Sequence, residues 1–451
     1  MIALAITACG APAQWQSLNG GLDFFVGAFE HTNDSTQLIV GGAFCTTNVD
    51  SLAAHHLVRW DGIQWSDTGF AGGGADTLFG CQYHTLPSIA LFHDTLFVAP
   101  YTGGWRYDTS LAYIAMLADT TWLPCGQPNA PAWLHEVNGR LFRGGLADSV
   151  YGTSMPSPNE WIGGAWQPLP NNPIPAPSAV YEAHYHNGVY YFGGIFEALG
   201  SRKIVAFDGV DQWCGLDGGV PGFYFIASIQ GYGDSLFVGG WLQEPGLSDH
   251  IRVWDGSDWL QFAPNGITFV NHVWDMLVHE GDLYIAGAGH LVGDTTIYDI
   301  WRYDGHQLCA LGGPTVGGGQ KMTIFQDDLY FAMPSTHAEL YQEFIGRLDL
   351  DAVVPDTCIE VVHVGVEEQH GVPRVYVHPN PASDVVTIGV NTGVMGGNLL
   401  VYDEIGRLIA SQSAVQRSVV ELDVSRWAVG TYTALLFSPA GLYRSRLMIV
   451  H

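Results

Sequence analysis

The sequence of 451 residues predicts an all-β fold: a seven-bladed β-propeller, its last blade closed by the N-terminal strand, then a small C-terminal β-sandwich. Three observations predict it. An apolar triplet followed by small residues recurs seven times at a blade-length spacing. An aromatic–turn–tryptophan pattern follows most of the triplets. The one strand that the last unit lacks stands at the start of the chain. Composition agrees, because 13% charged residues, 57 Gly and 15 Trp suit strands joined by many turns and exclude a disordered chain.

The triplets are Leu38–Gly42, Leu96–Ala99, Leu141–Gly145, Tyr190–Gly194, Leu236–Gly240, Leu283–Gly287 and Leu329–Ala332. Their starts lie 58, 45, 49, 46, 47 and 46 residues apart, the period of a four-stranded blade. The second pattern is clearest in Trp60–Trp65, Phe207–Trp213 and Trp254–Trp259, weaker in Trp301–Leu308, and eroded at Trp122 and Trp166. Its Asp-Gly step supplies the positive φ that a tight hairpin needs. An apolar segment ending in a polar turn precedes the triplet, as in Ser88–Asp94, Glu182–Gly188 and Trp274–Gly281. Each unit therefore holds four strands. The seventh, from Lys321 to Leu350, holds three, and Gln14–Leu18 carries the missing Trp strand. That strand is expected to complete the last blade and remove its open edge. The Gly-Gly after the second strand, the aromatic on the third and the Trp on the fourth resemble kelch and galactose-oxidase-like propellers. The resemblance covers residues 14–351. Its aromatic-to-Trp spacing is shorter than in kelch repeats, and no position carries over copper-radical ligands.

After Pro355 the texture changes. Residues 352–373 are expected to link the propeller to a domain spanning 374–451. That domain contains Pro379-Asn380-Pro381, then Tyr402-Asp403 with Gly406-Arg407, then Gly430 and Tyr432, and ends on a basic strand. Motifs in this order resemble the type A sorting domain of the type IX secretion system of Bacteroidetes-like bacteria. The resemblance implies export across both membranes, the type IX machinery as a partner, and residence in the medium or on the outer cell surface. Residues 1–13 fit an apolar leader with Ala11-Pro12-Ala13 as its cleavage pattern, while Ile6–Cys9 also fits a lipoprotein signal. No apolar run approaches the ~20 residues of a spanning helix.

With 16 basic against 44 acidic residues, a formal charge of −28 excludes nucleic acid as a natural partner. The acidity belongs to residues before 374, since 374–451 holds six Arg against five Asp and Glu. Cys45 and Cys81 flank the first blade and form the candidate disulfide. Cys214 and Cys309 sit at equivalent strand positions two blades apart and are expected to be buried thiols. No CxxC spacing, nucleophile elbow, metal-protease motif or phosphate loop occurs, so no catalytic residue, metal or cofactor is expected. His93, His186 and His279 recur at one turn of alternate blades, too far apart to share an ion. His184 and His186 share a strand face and could chelate, although a structural role is the simpler reading.

Three classes of function remain: a binding or adhesion module outside the cell, an enzyme acting on glycans, or a structural part of a surface assembly. In an antiparallel meander, the connections between strands two and three share one face with the blade-to-blade connections. These are the long ones. They carry His55, His56, Tyr83, His84, Trp105, Tyr107 and Tyr151, which are the candidate contacts to an extracellular glycan or protein.

Overall fold

The computed structural model describes residues 15–49, 52, 54, 56–67, 85–101, 114–118, 121–125, 133–146, 157–176, 178–220, 222–242, 250–263, 266–270, 272–315, 318–333, 343–361, 375–390, 397–403, 406–413, 419–438 and 441–450. Among them every regular element is a strand, and the strands form nine antiparallel sheets. Sheet 1 is Val26–His31, Leu38–Gly42, Leu57–Trp60 and Trp65–Asp67. Sheet 2 is Thr85–Phe92, Thr95–Tyr101, Ala115–Ala118 and Thr121–Pro124. Sheet 3 is Leu134–Val137, Arg140–Arg143, Asn159–Ile162 and Ala165–Pro168. Sheet 4 is Ala179–His186, Val189–Ala198, Ser201–Phe207 and Trp213–Gly215, with Gly145–Leu146 paired to its first strand. Sheet 5 is Phe223–Tyr232, Ser235–Leu242, Ile251–Trp254 and Trp259–Gln261. Sheet 6 is Asp275–His279, Asp282–Leu291, Tyr298–Tyr303 and Gln307–Leu311, extended by Ile267–Phe269 and Thr357–Glu360. Sheet 7 is Met322–Phe325, Asp328–Ala332, Ile345–Leu348 and Trp15–Gln16.

All seven triplets fall on second strands, and they are buried without alternation, as strands packed against a sheet on either face are. The aromatic and the Trp of the second pattern are direct cross-strand partners: Trp60 faces Trp65, Phe207 faces Trp213, and Trp254 faces Trp259. Their ring centroids lie 4.8, 4.5 and 5.2 Å apart, within the range of favourable aromatic pairs. The intervening turn is held by its aspartate. Asp61, Asp208, Asp255 and Asp304 each accept backbone N–H groups from the two or three residues after the glycine, at 2.7–3.0 Å. The turns between first and second strands use another device. At Asn187–Gly188 both φ angles are positive, 50° and 85°, which a two-residue hairpin requires to match strand twist.

The fourth-strand Trp also ties neighbouring sheets. Trp213 Nε1 donates to the Pro170 carbonyl beyond sheet 3, and Trp259 Nε1 donates to the Leu216 carbonyl beyond sheet 4. Trp65 Nε1 of sheet 1 does the same to the Leu18 carbonyl, at 2.7 Å. Leu18 follows the N-terminal strand, which pairs Trp15 with Leu348 and Gln16 with Arg347 in sheet 7. Sheets 7 and 1, the last and first of the seven repeats, are thus joined as sequential neighbours are.

Sheet 8 (Val375–His378, Val385–Val390, Val419–Asp423) and sheet 9 (Leu408–Gln412, Asn398–Asp403, Gly430–Ser438, Gly441–Ile449) share one buried core that includes Ile388, Val401, Tyr432 and Leu447.

Two expectations about cysteine and linker need correction. Cys309 is not a buried thiol but is bonded to Cys358, which lies in the segment expected to be a linker. Thr357–Glu360 is a strand on the outer edge of sheet 6, with Cys309 and Cys358 opposite one another in its register. An edge strand of four residues holds itself weakly, and the covalent bond anchors it. Cys214 is a buried free thiol, as expected. Cys45 is disulfide-bonded, while Cys81 lies outside the described residues. The Cys309–Cys358 bond closes a loop of 49 residues, so Cys358→Ser is expected to lower stability by about 2–4 kcal/mol. The check is a melting curve with and without reductant. Equal melting temperatures for variant and oxidised wild type would count against a stabilising bond.

Candidate functional site

The first strands of sheets 1 to 7 touch in a closed cycle, each against the next and sheet 7 against sheet 1. All seven border one cavity of about 730 Å³. Polar side chains reach it in phase. Ser88, His135, Glu182, Ser228, Asp275 and Lys321 stand 47, 47, 46, 47 and 46 residues apart. Ser88, Glu182, Ser228 and Asp275 hold one register position on their first strands, opposite Ala99, Gly193, Gly239 and Ala286. Lys321 stands just before the seventh first strand, and His135 lies two residues further along its own. Five of the six border the cavity; Ser228 is buried beside it.

These groups first hold neighbouring strands together. Ser88 Oγ accepts the Leu134 N–H at 2.8 Å, His135 Nε2 donates to the Tyr181 carbonyl at 3.0 Å, and Asp275 Oδ2 accepts the Met322 N–H at 3.1 Å. Glu30 Oε2 takes the Leu91 N–H and His184 Nε2 takes the Gly231 N–H in the same manner. The remaining atoms form a cluster. His135 Nδ1 lies 3.4 Å from Glu182 Oε1, and Lys321 Nζ lies 3.6 Å from Asp275 Oδ1. Burial pushes the Glu182 carboxyl up to about 8, with Lys321 opposing and Asp275 adding. Burial pushes His135 down to about 4, and Lys321 adds to that. Burial also raises Asp275, against Lys321. Lys321 itself is raised, because Asp275 and Glu182 together outweigh the desolvation that acts against its charge. At neutral pH the cluster therefore holds one ion pair, Lys321 with Asp275, and two neutral groups. This avoids a buried unpaired charge.

Stability should follow these protons. Between pH 6.5 and 8 the folded chain keeps protons on Glu182 and, with a carboxyl near 7, on Glu30, where the unfolded chain has lost them. Stability then falls as pH rises, by roughly 2 kcal/mol over that window. Below pH 6.5 the sign reverses for His135, His184 and His186, held down by burial to about 4, 3 and 4, because only the unfolded chain takes up their protons. The raised carboxyls oppose that loss on the acid side. The melting temperature should peak between about pH 6 and 7 and drop by a few degrees at pH 8.5. Glu182→Gln should flatten the alkaline limb. A wild-type melting temperature that stays level from pH 6.5 to 8.5 would contradict the assignment.

One rim of the cavity is aromatic. Trp133, Tyr181 and Phe225 form a chain with centroid spacings of 4.7 and 6.0 Å. Trp241, His272 and Trp274 continue it at 5.0 and 4.6 Å. Tyr224 is 48% exposed and Trp241 36% exposed, unusual for aromatics this large. Trp133, His272 and Trp274 precede first strands, and Trp241 ends a second strand. The rim therefore lies on the face of the long connections.

Sequence reasoning named other residues on that face. His56 is 1% exposed with Nδ1 on the Gly42 carbonyl, so it supports its loop from inside and is not an exposed contact. His55, Tyr83, His84, Trp105, Tyr107 and Tyr151 lie outside the described residues, as does the leader. His184 and His186 do not chelate: the first is taken by Gly231 and the second meets Asn187 Nδ2 at 2.8 Å. Among the described residues no group of three or more His, Cys, Asp or Glu could hold a metal ion.

The C-terminal motifs have visible local causes. Asn380, between Pro379 and Pro381, accepts the Met448 N–H and donates to the Arg446 carbonyl, pinning its segment to the last strand. Asp403 closes a turn onto Arg407, accepting both its N–H and its Nε, with Gly406 at φ 77° between them. Tyr432, two residues after Gly430, stacks near Trp427 and donates to the Ala428 carbonyl.

Residues 376–449 match the family model of the secretion system C-terminal sorting domain. The C-terminal domain is that sorting domain, and it marks the chain for export by type IX secretion to the cell surface or the medium. No curated protein matches the chain. Among solved structures it is similar to PorZ of Porphyromonas gingivalis, described as an essential surface component of the type IX secretion system. Identity is 14%, coverage is 94% of this chain and 66% of that one, and the TM-score is 0.33. It is also similar to an exo-β-1,3-galactanase of Phanerochaete chrysosporium, at 8% identity, 96% and 95% coverage and a TM-score of 0.28. Likenesses this distant carry no argument about activity.

Proposed function

We propose that residues 15–360 form a closed seven-bladed propeller that acts, after Sec and type IX export, as a binding module on its long-loop face. The aromatic rim around the shared cavity carries this reading. A monomer seldom exposes rings such as Tyr224 and Trp241 beside a cavity without using them. The opposite face supports the same choice. Its short turns at Gly188, Asp234 and Gly256, in sheets 4 and 5, are covered by Tyr402 and Arg444 of the sorting domain.

The test is a glycan and protein array followed by titration of each ligand found. Joint Trp241→Ala and Trp274→Ala should weaken binding at least tenfold, and changes at the Asn138–Gly139 turn should not. The reverse pattern would overturn the assignment of the face. Hydrolysis of a glycan is a second reading, favoured by one observation. Glu182, protonated near neutral pH, and Asp275 open on one cavity, and glycoside hydrolysis needs one acid and one carboxylate. Release of reducing sugar, lost in Glu182→Gln, would mark it.

A further inference from the structure

The chemistry of the cavity narrows the ligand class; the inference rests on the binding-face reading above. We propose that the cavity takes the end of a neutral saccharide, its sugar faces against Trp133, Tyr181 and Trp274 and its hydroxyls on Glu182, Gln320 and Lys321. A volume of about 730 Å³ falls within the ~300–1,000 Å³ of small-molecule sites.

Charge decides among the classes. Among the described residues Lys321 is the one Lys or Arg bordering the cavity, and Asp275 already holds it at 3.6 Å. An anionic glycan would find no unused cation among the described residues and would meet two acids. A cationic ligand would meet Lys321 and gain little from a protonated Glu182. A purely apolar ligand would strip water from Glu182, Asp275, Lys321, His135 and Gln320 without replacing its hydrogen bonds. A sugar satisfies both surfaces. Its C–H faces pack on aromatic rings, and its hydroxyls both donate and accept. Asp275 and His135 lie on strands, are held by bonds to neighbouring sheets, and in turn hold Lys321 and Glu182, so these groups are set in place before a ligand arrives.

The groups facing Glu182 are His135, Asp275 and Lys321. His135, held down to about 4 by burial, and Lys321, held up by its two acids, keep their protonation between pH 6.5 and 9, while burial raises Asp275 against the pull of Lys321. A sugar hydroxyl that accepts from the Glu182 carboxyl loses that donor as pH rises through about 8.

The experiment titrates the full chain by calorimetry with neutral, uronic-acid and amino-sugar oligosaccharides. Neutral sugars should bind best. Their affinity should fall at least fivefold from pH 6.5 to 9 in wild type and stay level in Glu182→Gln, whose amide keeps a donor at both pH values. Trp133→Ala should cost at least tenfold in affinity. It lies at the rim and spares the strand-to-strand bonds, so it tests the site even where Glu182→Gln fails to fold. Tighter binding of a charged sugar that Trp133→Ala abolishes overturns the ligand class and leaves the binding face standing. Sugar binding indifferent to Trp133→Ala overturns both. No sugar binding at millimolar concentration overturns this inference alone, since the array also tests protein ligands.

Discussion

A chain that begins at residue 21 is expected to lose its single cooperative melting transition, and Trp15→Ala alone to cost about 3–5 kcal/mol. Trp15 is 5% exposed, stacks 5.9 Å from Phe331 and packs against Gly312, at the end of the sheet 6 strand Gln307–Leu311. Its strand covers Ile345–Leu348, whose backbone groups would otherwise form an open edge. Leu18, 1% exposed, lies in the core of sheet 1 and accepts the Trp65 indole N–H. Removing residues 14–20 therefore damages three consecutive sheets, 6, 7 and 1, and opens the cycle of sheets between the seventh and the first. The readouts are calorimetry and hydrogen exchange at residues 345–348, which should lose protection. A synthetic peptide of residues 14–20 should restore part of both. A truncated chain that melts like wild type would refute closure through this strand.

That closure was legible because the missing fourth-strand Trp of the last unit and the stray Trp15 belong to one repeating pattern. The second strands and the Asp-Gly turns were legible for the same reason, since each rests on residues close in sequence. The additions to sheet 6 were not. Ile267–Phe269 and Thr357–Glu360 break the four-strand period, and the second is held by its pairing with Gln307–Ala310, by Ile359 packed against the core and by the Cys309–Cys358 bond, which no repeat announces. The cavity was hidden for a different reason. His135, Glu182, Asp275 and Lys321 are unremarkable singly and meet only because the first strands converge. Their spacing of 46 or 47 residues was a usable signal: polar residues that recur once per repeat in otherwise apolar segments call for partners. Seeking loop aromatics led to His56, which is buried, while the aromatics at the strand ends, Trp133, Trp241 and Trp274, escaped notice because they flank strands.

The sorting domain is expected to come away from sheets 1 to 7 when Asp234 is replaced by Lys, and the freed sheets to become less stable and more adhesive to apolar dyes. The sequence alone suggests a separate delivery signal, but the structure packs it against sheets 4 and 5. Asp234, at the turn between the first two strands of sheet 5, binds Arg444 Nη2 at 2.6 Å and also meets Arg446. Beneath this pair, Tyr402, Leu435, Phe437 and Leu442 share one buried core with Val189, Tyr191, Leu236 and Trp254. Gly188 admits the Tyr402 ring, since a Cβ there would come within 2.7 Å of it. The ion pair is partly exposed through Asp234 and contributes on the order of 1 kcal/mol or less. The apolar contact carries the rest, so Tyr402→Ala with Leu442→Ala should loosen the domain more than loss of the ion pair alone, by several kcal/mol. Asp234→Lys adds repulsion against two arginines to the lost attraction. A cut after Val361 keeps Cys358 on sheet 6 and isolates this effect, which a cut after Asp356 would confound with loss of the disulfide. In a host with type IX secretion, the chain cut after Val361 should remain in the periplasm, melt lower than the full chain and bind more dye. Limited proteolysis of Asp234→Lys should release an intact sorting domain faster than from wild type. Equal release rates would show that the contact does not hold the two parts together.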